Sequence, residues 1–221
     1  MTVISIAKKS YLLLRKIIDL LFFSLRKKNS STHKYVDYNE YLNHQKEKTI
    51  DPERVKKWST DEWQIKVDNF KTIFQRNIEY IENRHNAICL GSRTGQEVKA
   101  LLDLGINAIG IDLVPFEPYT IEGDIHNLNF MDGKFDLSFT NIFDHSLYPE
   151  KFCSEMERIV SKNGIIIIHL LIGSQTDDYT ETVIYNPQNV IKMFNFVEVM
   201  ESRKIKNPSD SLNWELILKK I

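Results

Sequence analysis

The sequence predicts an α/β fold: a seven-stranded, mostly parallel sheet with helices on both faces, a C-terminal antiparallel hairpin and an N-terminal helical extension. Three observations predict it. From residue 86 onward, short apolar runs alternate with amphipathic stretches, which is the pattern of βαβ units. All 8 glycines fall between Gly91 and Gly173, and glycine is kept where backbone must turn tightly or approach a ligand. The last two apolar runs are joined by a turn that leaves no room for a helix, so they pair antiparallel.

Three regions follow in chain order. Residues 1–28 carry seven basic side chains and one acidic one, Asp19, for a local charge of +6; the remainder has 22 basic and 29 acidic residues, or −7. On a helical wheel Lys8, Lys9, Arg15, Lys16, Asp19, Arg26 and Lys27 share one arc. Leu13, Leu14, Ile17, Ile18, Leu20, Leu21, Phe22 and Leu25 fill the other, with Leu12 and Phe23 intruding on the polar side. Arg15, Lys16 and Asp19 interrupt the apolar stretch, so it is too short to span ~30 Å of hydrocarbon. It also lacks a signal-peptide cleavage pattern. A basic amphipathic helix of this kind suits a peripheral position on an anionic membrane surface, or packing on the protein's own body or a partner. The expected location is cytoplasmic.

Residues 29–84 read as a linker and helical cap. Tyr35, Tyr38 and Tyr41 lie in a polar stretch that becomes a helix. Asp51-Pro52-Glu53 is a helix start with Pro52 in the first turn. Ser59 and Glu62 have capping-box spacing and would open a long helix to about Asn83. Its apolar residues Val67, Phe70, Ile73 and Phe74 recur at helical steps, as for a helix that covers a sheet. The aromatic residues of 35–75 also suit a lid or acceptor pocket.

Residues 85–221 hold the α/β domain. Asn86–Leu90 is an apolar strand and Gly91–Gly95 a turn. Gln96–Leu104 is a helix stopped by Gly105, and Asn107–Ile111 is a second strand ending at Asp112. This unit implies a right-handed parallel crossover. Tyr119–Ile121 and Phe135–Thr140 are the next strands. Pro149–Ser161 is a helix, with Asn163-Gly164 as its stop. Ile165–Leu171 is almost wholly apolar, as in a central strand covered on both faces. A short helix over Asn189–Phe194 precedes the strands Phe196–Met200 and Leu212–Leu218.

Composition narrows the function. With 29 Lys+Arg against 30 Asp+Glu and 42% hydrophobic residues, the chain is neither disordered nor a strongly basic nucleic-acid binder. No nucleic-acid partner is expected, because phosphate binding needs clustered Lys and Arg. Cys89 and Cys153 sit in apolar surroundings and read as buried thiols in a reducing compartment. The six histidines show no metal-ligand spacing.

From Asn86 to Leu218 the parts arrive in a familiar order: CLGSRTGQE, IGIDLVP, IEGDIHNLNFMDGKFDLSF, then the strand–loop–helix–glycine–strand run ending at IIIIHL. In this the sequence resembles class I S-adenosylmethionine-dependent methyltransferases, Rossmann-like enzymes, of the small-molecule type 11 kind. The resemblance implies S-adenosyl-L-methionine as cofactor and a small-molecule or lipid-linked methyl acceptor. It implies cofactor contacts at Gly91, Ser92, Arg93, Gly95, Asp112, Leu113, Asp124, Ile125, Asn141 and Ile142. Ligands of open α/β sheets bind at the carboxyl ends of strands, which is where these residues fall. The helix start, with the N–H groups of Gly95–Glu97, suits a carboxylate. Asp112 can accept from ribose hydroxyls and Asp124 from an adenine amino group. Two departures stand out: Cys89 replaces an acidic residue, and Arg93 replaces a glycine. They motivate an alternative, a non-catalytic cofactor-binding or scaffold protein. His145, after the fourth strand, is the candidate general base, since imidazole titrates near neutral pH.

Overall fold

The computed structural model describes residues 33–207 and 210–221. The amphipathic segment 1–28 lies outside the described residues, as do Pro208 and Ser209 of the last turn. Residues 33–221 form one compact unit.

Seven strands make one sheet: β1 (Asn86–Leu90), β2 (Asn107–Asp112), β3 (Thr120–Glu122), β4 (Phe135–Thr140), β5 (Val160–Leu170), β6 (Val197–Lys204) and β7 (Trp214–Lys220). Their spatial order is β3-β2-β1-β4-β5-β7-β6. β1 to β5 pair in parallel, with Cys89 level with Gly110 on one side and with Phe139 on the other. β7 lies between β5 and β6 and runs antiparallel to both. The terminal hairpin therefore folds back so that its second strand, not its first, meets the sheet.

Alternate residues of each strand serve opposite faces. Ile88, Ile166 and Ile168 pack on one side with Phe152, Cys153, Met156 and Ile159 of a helix over Pro149–Ile159. Ala87, Cys89, Phe139, Ile165, Ile167 and Ile217 face the other side. There they meet Val67, Phe70, Ile73 and Phe74 of one helix and Val98 and Leu101 of another. Full burial of each large apolar side chain is worth roughly 1.5–3 kcal/mol.

Among the described residues, six helices precede or link the strands: α1 (Tyr38–Ile50), α2 (Pro52–Lys56), α3 (Trp63–Arg76), the single turn α4 (Ile78–Ile81), α5 (Gln96–Asp103) and α6 (Pro149–Ile159); α7 (Pro187–Ile191) follows β5. Asp51 caps α2 by accepting from the Glu53 and Arg54 amides, as its sequence predicts. The expected capping box does not form. Residues Lys57–Asp61 make a π-helical turn instead, in which Thr60 Oγ1 donates to the Lys56 carbonyl. Glu62 forms ion pairs with Lys57 and Lys66 rather than reaching back to Ser59. The single long helix is also two. Asn77 turns its side chain onto the Ile73 carbonyl, a local bond that competes with helix continuation. The helix expected to run to Ser161 ends at Ile159, because Val160 is already extended and paired with Phe135 in β5. Asn163-Gly164 therefore lies within that strand. Among the described residues no helix is long and apolar enough to cross a membrane.

Candidate functional site

The chain leaves β1 through a turn with little latitude. Gly91 has φ +76°, and a Cβ there would lie 2.2 Å from Ile142 Cγ1, so only glycine fits on both counts. Arg93 is also left-handed, at φ +46°. Its amide donates to Asp112 Oδ2 (2.8 Å), while Val114 N donates to Oδ1 (3.1 Å). Asp112 thereby ties the turn after β1 to the turn after β2. Burial raises its carboxyl above the ordinary range, partly countered by the Val114 and Arg93 amides. The Arg93 guanidinium lies 4.9 Å from the ring centre of Trp58, a cation–π contact from the cap.

The amide of Gly95 is not open to a ligand, as the sequence suggested. It donates to the Ser92 carbonyl at 2.7 Å. Ser92 is buried. On α5, Gln96 Nε2 donates to the Trp58 carbonyl (2.8 Å). Glu97 is 4% exposed, and burial pushes its carboxyl up to about 8, against the pull of its own amide and Arg93.

Asp124 follows β3 and is closely held. Its Oδ2 accepts from Tyr38 Oη (2.7 Å) and its Oδ1 from the His126 amide (2.8 Å). Burial opposes its ionisation, but the His126 and Tyr38 bonds outweigh this and keep the carboxyl below its usual range. His126 Nε2 accepts from the Tyr148 amide (3.2 Å). The ring proton therefore sits on Nδ1, toward Tyr38 and Asp124.

His145 ends a 3₁₀ turn, Phe143–His145, after β4. Its Nδ1 is 2.8 Å from the Tyr179 carbonyl and so donates. That leaves the lone pair on Nε2, 3.4 Å from Lys48 Nζ. Burial chiefly lowers its basicity; Asp144 raises it and Lys48 lowers it again. Lys48 is anchored by Asp177 (2.9 Å).

These residues surround two cavities. One, of about 530 Å³, is bordered by Gly91, Ser92, Arg93, Glu97, Asn141 and His145. The other, about 60 Å³, is bordered by Asp112, Leu113, Asp124, Ile125 and Ile142, with Tyr41 and Leu42 of α1. Gly91, Arg93, Lys48 and His145 border both. Of the residues singled out from the sequence, Gly95 alone borders neither, serving the turn instead. Lys48 and Asp177 were not anticipated. They come from positions whose local sequence carries no motif, and only the fold brings them together. A further knot lies beside α1. His33, His44 and Glu181 bring one donor atom each within 4.8 Å of one another, with the Tyr35 hydroxyl bonded to His44 and Glu181. Such donors suit a divalent ion as well as a hydrogen-bond network; the long sequence separation hid the grouping.

A parallel sheet with its cavities at the strand ends, a glycine turn after β1 and an acidic residue after β2 define a nucleotide-type cofactor domain. Residues 88–168 match the family model described as "Methyltransferase domain". No curated protein matches the sequence. Solved structures do match the fold. One is 1,6-didemethyltoxoflavin-N1-methyltransferase of Burkholderia thailandensis, determined with 1,6-didemethyltoxoflavin and S-adenosylhomocysteine; it has TM-score 0.64 and 11% identity, over 86% of this chain and 94% of that one. A protein of Pyrococcus horikoshii gives 0.58 and 14%, over 73% and 92%. An S-adenosylmethionine-dependent methyltransferase of Archaeoglobus fulgidus gives 0.56 and 13%, over 77% and 100%. The match to the methyltransferase-domain model is confined to residues 88–168, and the likeness to the solved methyltransferases is one of fold.

Proposed function

We propose that the protein transfers a methyl group from S-adenosylmethionine to a small-molecule or lipid-linked acceptor. One observation carries the reading: the ends of β1, β2 and β4 converge on two adjoining cavities that share Gly91 and Arg93. In this reading the nucleoside occupies the smaller cavity. Asp112 accepts from the ribose hydroxyls, Asp124 from the adenine amino group, and Leu113 and Ile125 pack on the base. Ser92 and Gly95 support the turn, and Gly91 allows close approach. Asn141 and Ile142 flank the sulfonium, and the acceptor enters through the larger cavity. The sulfonium already activates the methyl group, so the protein's task is to align it with the acceptor and exclude water. His145 Nε2, which carries the lone pair, takes the proton of a hydroxyl or amine acceptor.

The smaller cavity, at about 60 Å³, is too tight for a nucleoside while Tyr41 and Leu42 of α1 border it. The cofactor enters with an outward shift of α1. This same closure favours a second reading, a non-catalytic domain. Calorimetry with S-adenosylmethionine and S-adenosylhomocysteine separates the possibilities. Micromolar binding supports the first reading, and binding without turnover over a broad acceptor panel supports the second. No binding at millimolar ligand removes both. Residues 1–28, by their +6 charge, attach the protein peripherally to anionic lipid; deleting them should abolish sedimentation with anionic liposomes, and equal sedimentation of both proteins would reject this.

A further inference from the structure

Glu181, on the segment between β5 and α7, has a fully buried side chain. Its Oε1 accepts from the Tyr35 hydroxyl and from Gln45 Nε2 (3.2 Å). Its Oε2 meets no donor among the described residues. A buried carboxylate oxygen left unpaired costs free energy. The groups gathered around it are ion ligands rather than fixed cations. His33 Nδ1 lies 3.7 Å and His44 Nδ1 3.9 Å from Oε1, and the three residues bring one donor atom each within 4.8 Å of one another. The Tyr35 hydroxyl oxygen, 2.6 Å from His44 Nδ1, is a fourth donor at the same point. Glu40 and Glu47 add negative charge near Tyr35. The lysines of α1 turn elsewhere, Lys46 toward Glu122 and Lys48 toward Asp177.

The donors are held in place. The Glu181 amide donates to the Asp144 carbonyl at 2.8 Å. His44 stacks on Tyr179 with ring centres 5.0 Å apart. The side chains of His33 and His44 are 36% and 22% exposed, so an ion reaches them from solvent. Two imidazoles, a carboxylate and a phenolic oxygen make a nitrogen and oxygen set that suits zinc. Around a tetrahedral zinc with bonds of ~2.0–2.1 Å, donor atoms stand about 3.3 Å apart, so the two nitrogen–oxygen separations need to shorten by only about 0.5 Å.

We propose that His33, His44 and Glu181, with Tyr35 in the fourth position, form a binding site for one divalent transition-metal ion of the zinc type. Each imidazole carries its proton on Nε2 and gives the Nδ1 lone pair to the ion. The ion is structural: His33, His44 and Glu181 border neither of the two cavities. It fastens α1 and the residues before it to the segment that carries Tyr179, whose carbonyl holds Nδ1 of His145. The inference does not depend on the methyl-transfer reading.

The test is zinc titration of the full-length, untagged, chelator-stripped protein against a chromogenic chelator, with thermal unfolding alongside. The wild-type protein should bind one zinc per chain with micromolar or tighter Kd, and its Tm should be higher with zinc than with EDTA. His33→Ala and Glu181→Gln should each weaken zinc binding by at least ~100-fold and abolish the Tm shift. His33 is the most exposed of the three ligands, so its variant decides alone if Glu181→Gln does not fold. His85→Ala, at an exposed histidine just before β1, should bind zinc like the wild type. No stoichiometric binding at micromolar zinc overturns the proposal and leaves the four side chains as a hydrogen-bond network. Zinc affinity that is unchanged in either folded ligand variant also overturns it, by assigning the ion to another part of the chain.

Discussion

Glu215 should be the most costly single charge to remove from this fold. It is fully buried on β7 and accepts five hydrogen bonds. His169 Nε2, Arg76 Nη2 and Asn77 Nδ2 reach Oε2 at 2.8, 2.8 and 2.9 Å. Arg203 Nε and Nη2 reach Oε1 at 3.0 and 2.8 Å. The carboxylate so joins α3, β5, β6 and β7. Glu215→Gln keeps the shape and removes the charge, leaving two guanidinium groups without their partner. Breaking a buried pair costs roughly 3–5 kcal/mol. Arg76 and Arg203 are 31% and 32% exposed, so water offsets part of the loss and the expected cost is about 3 kcal/mol. Burial, the largest single influence, would raise the Glu215 carboxyl, but His169, Arg76 and Asn77 together outweigh it and hold the group well below its usual range. The folded value thus lies below the unfolded one, about 4.3. The stabilisation is fully present above that pH. It declines by up to ~1.4 kcal/mol per unit as pH falls toward the folded value. Urea unfolding of both proteins at pH 7, 5 and 3.5 measures it. A difference under ~1 kcal/mol at pH 7, or one that stays constant from pH 5 to 3.5, would refute the reasoning.

Three further outcomes are expected. Gly91→Ala forces a left-handed alanine against Ile142 Cγ1 and should cost about 2–5 kcal/mol in urea unfolding, strain and overpacking together; a loss under ~1 kcal/mol would mean that the turn relaxes. His145, lowered by burial and by Lys48, should titrate below pH ~6.5 by NMR, and Lys48→Met should move it upward; a value above 6.5 in the wild-type protein contradicts the geometry. Tyr38→Phe removes the hydroxyl from Asp124 Oδ2 and should cost about 1–3 kcal/mol at pH 7. Because the Asp124 carboxyl is held low when folded, that difference should narrow below pH ~4, and a gap that widens on acidification would reverse the sign.

The sheet was legible because its signals are local. β1 and β4 begin and end where the apolar runs do, and the apolar run of β5 marks it as a strand covered on both faces. Where two local signals compete, the sequence misleads. Ser59 and Glu62 have capping spacing, but Glu62 is drawn to Lys57 and Lys66. Asn163-Gly164 reads as a helix stop, yet Val160 has already entered the sheet opposite Phe135. Gly91, Asp112 and Asp124 were readable because their order along the chain matches their order along the strand ends. The partners that set their electrostatics were not. Tyr38 meets Asp124 across 86 positions and Lys48 meets His145 across 97, and no periodicity encodes such a distance.

The same contacts assign the segment before the sheet a part in the site. Tyr41 Oη donates to the His145 carbonyl at 3.0 Å, Gln45 Nε2 to the Tyr179 carbonyl at 3.0 Å, and Trp58 meets both Arg93 and Gln96. Tyr179 in turn holds Nδ1 of His145. A helix that merely covered the sheet would contribute apolar side chains, as α3 does. α1 contributes hydroxyls, an amide and an ammonium, each directed at a residue bordering a cavity or at its immediate support. Displacing α1 would strip Asp124 of its tyrosine donor and His145 of its lysine neighbour at once, so the electrostatics of both residues depend on a single helix.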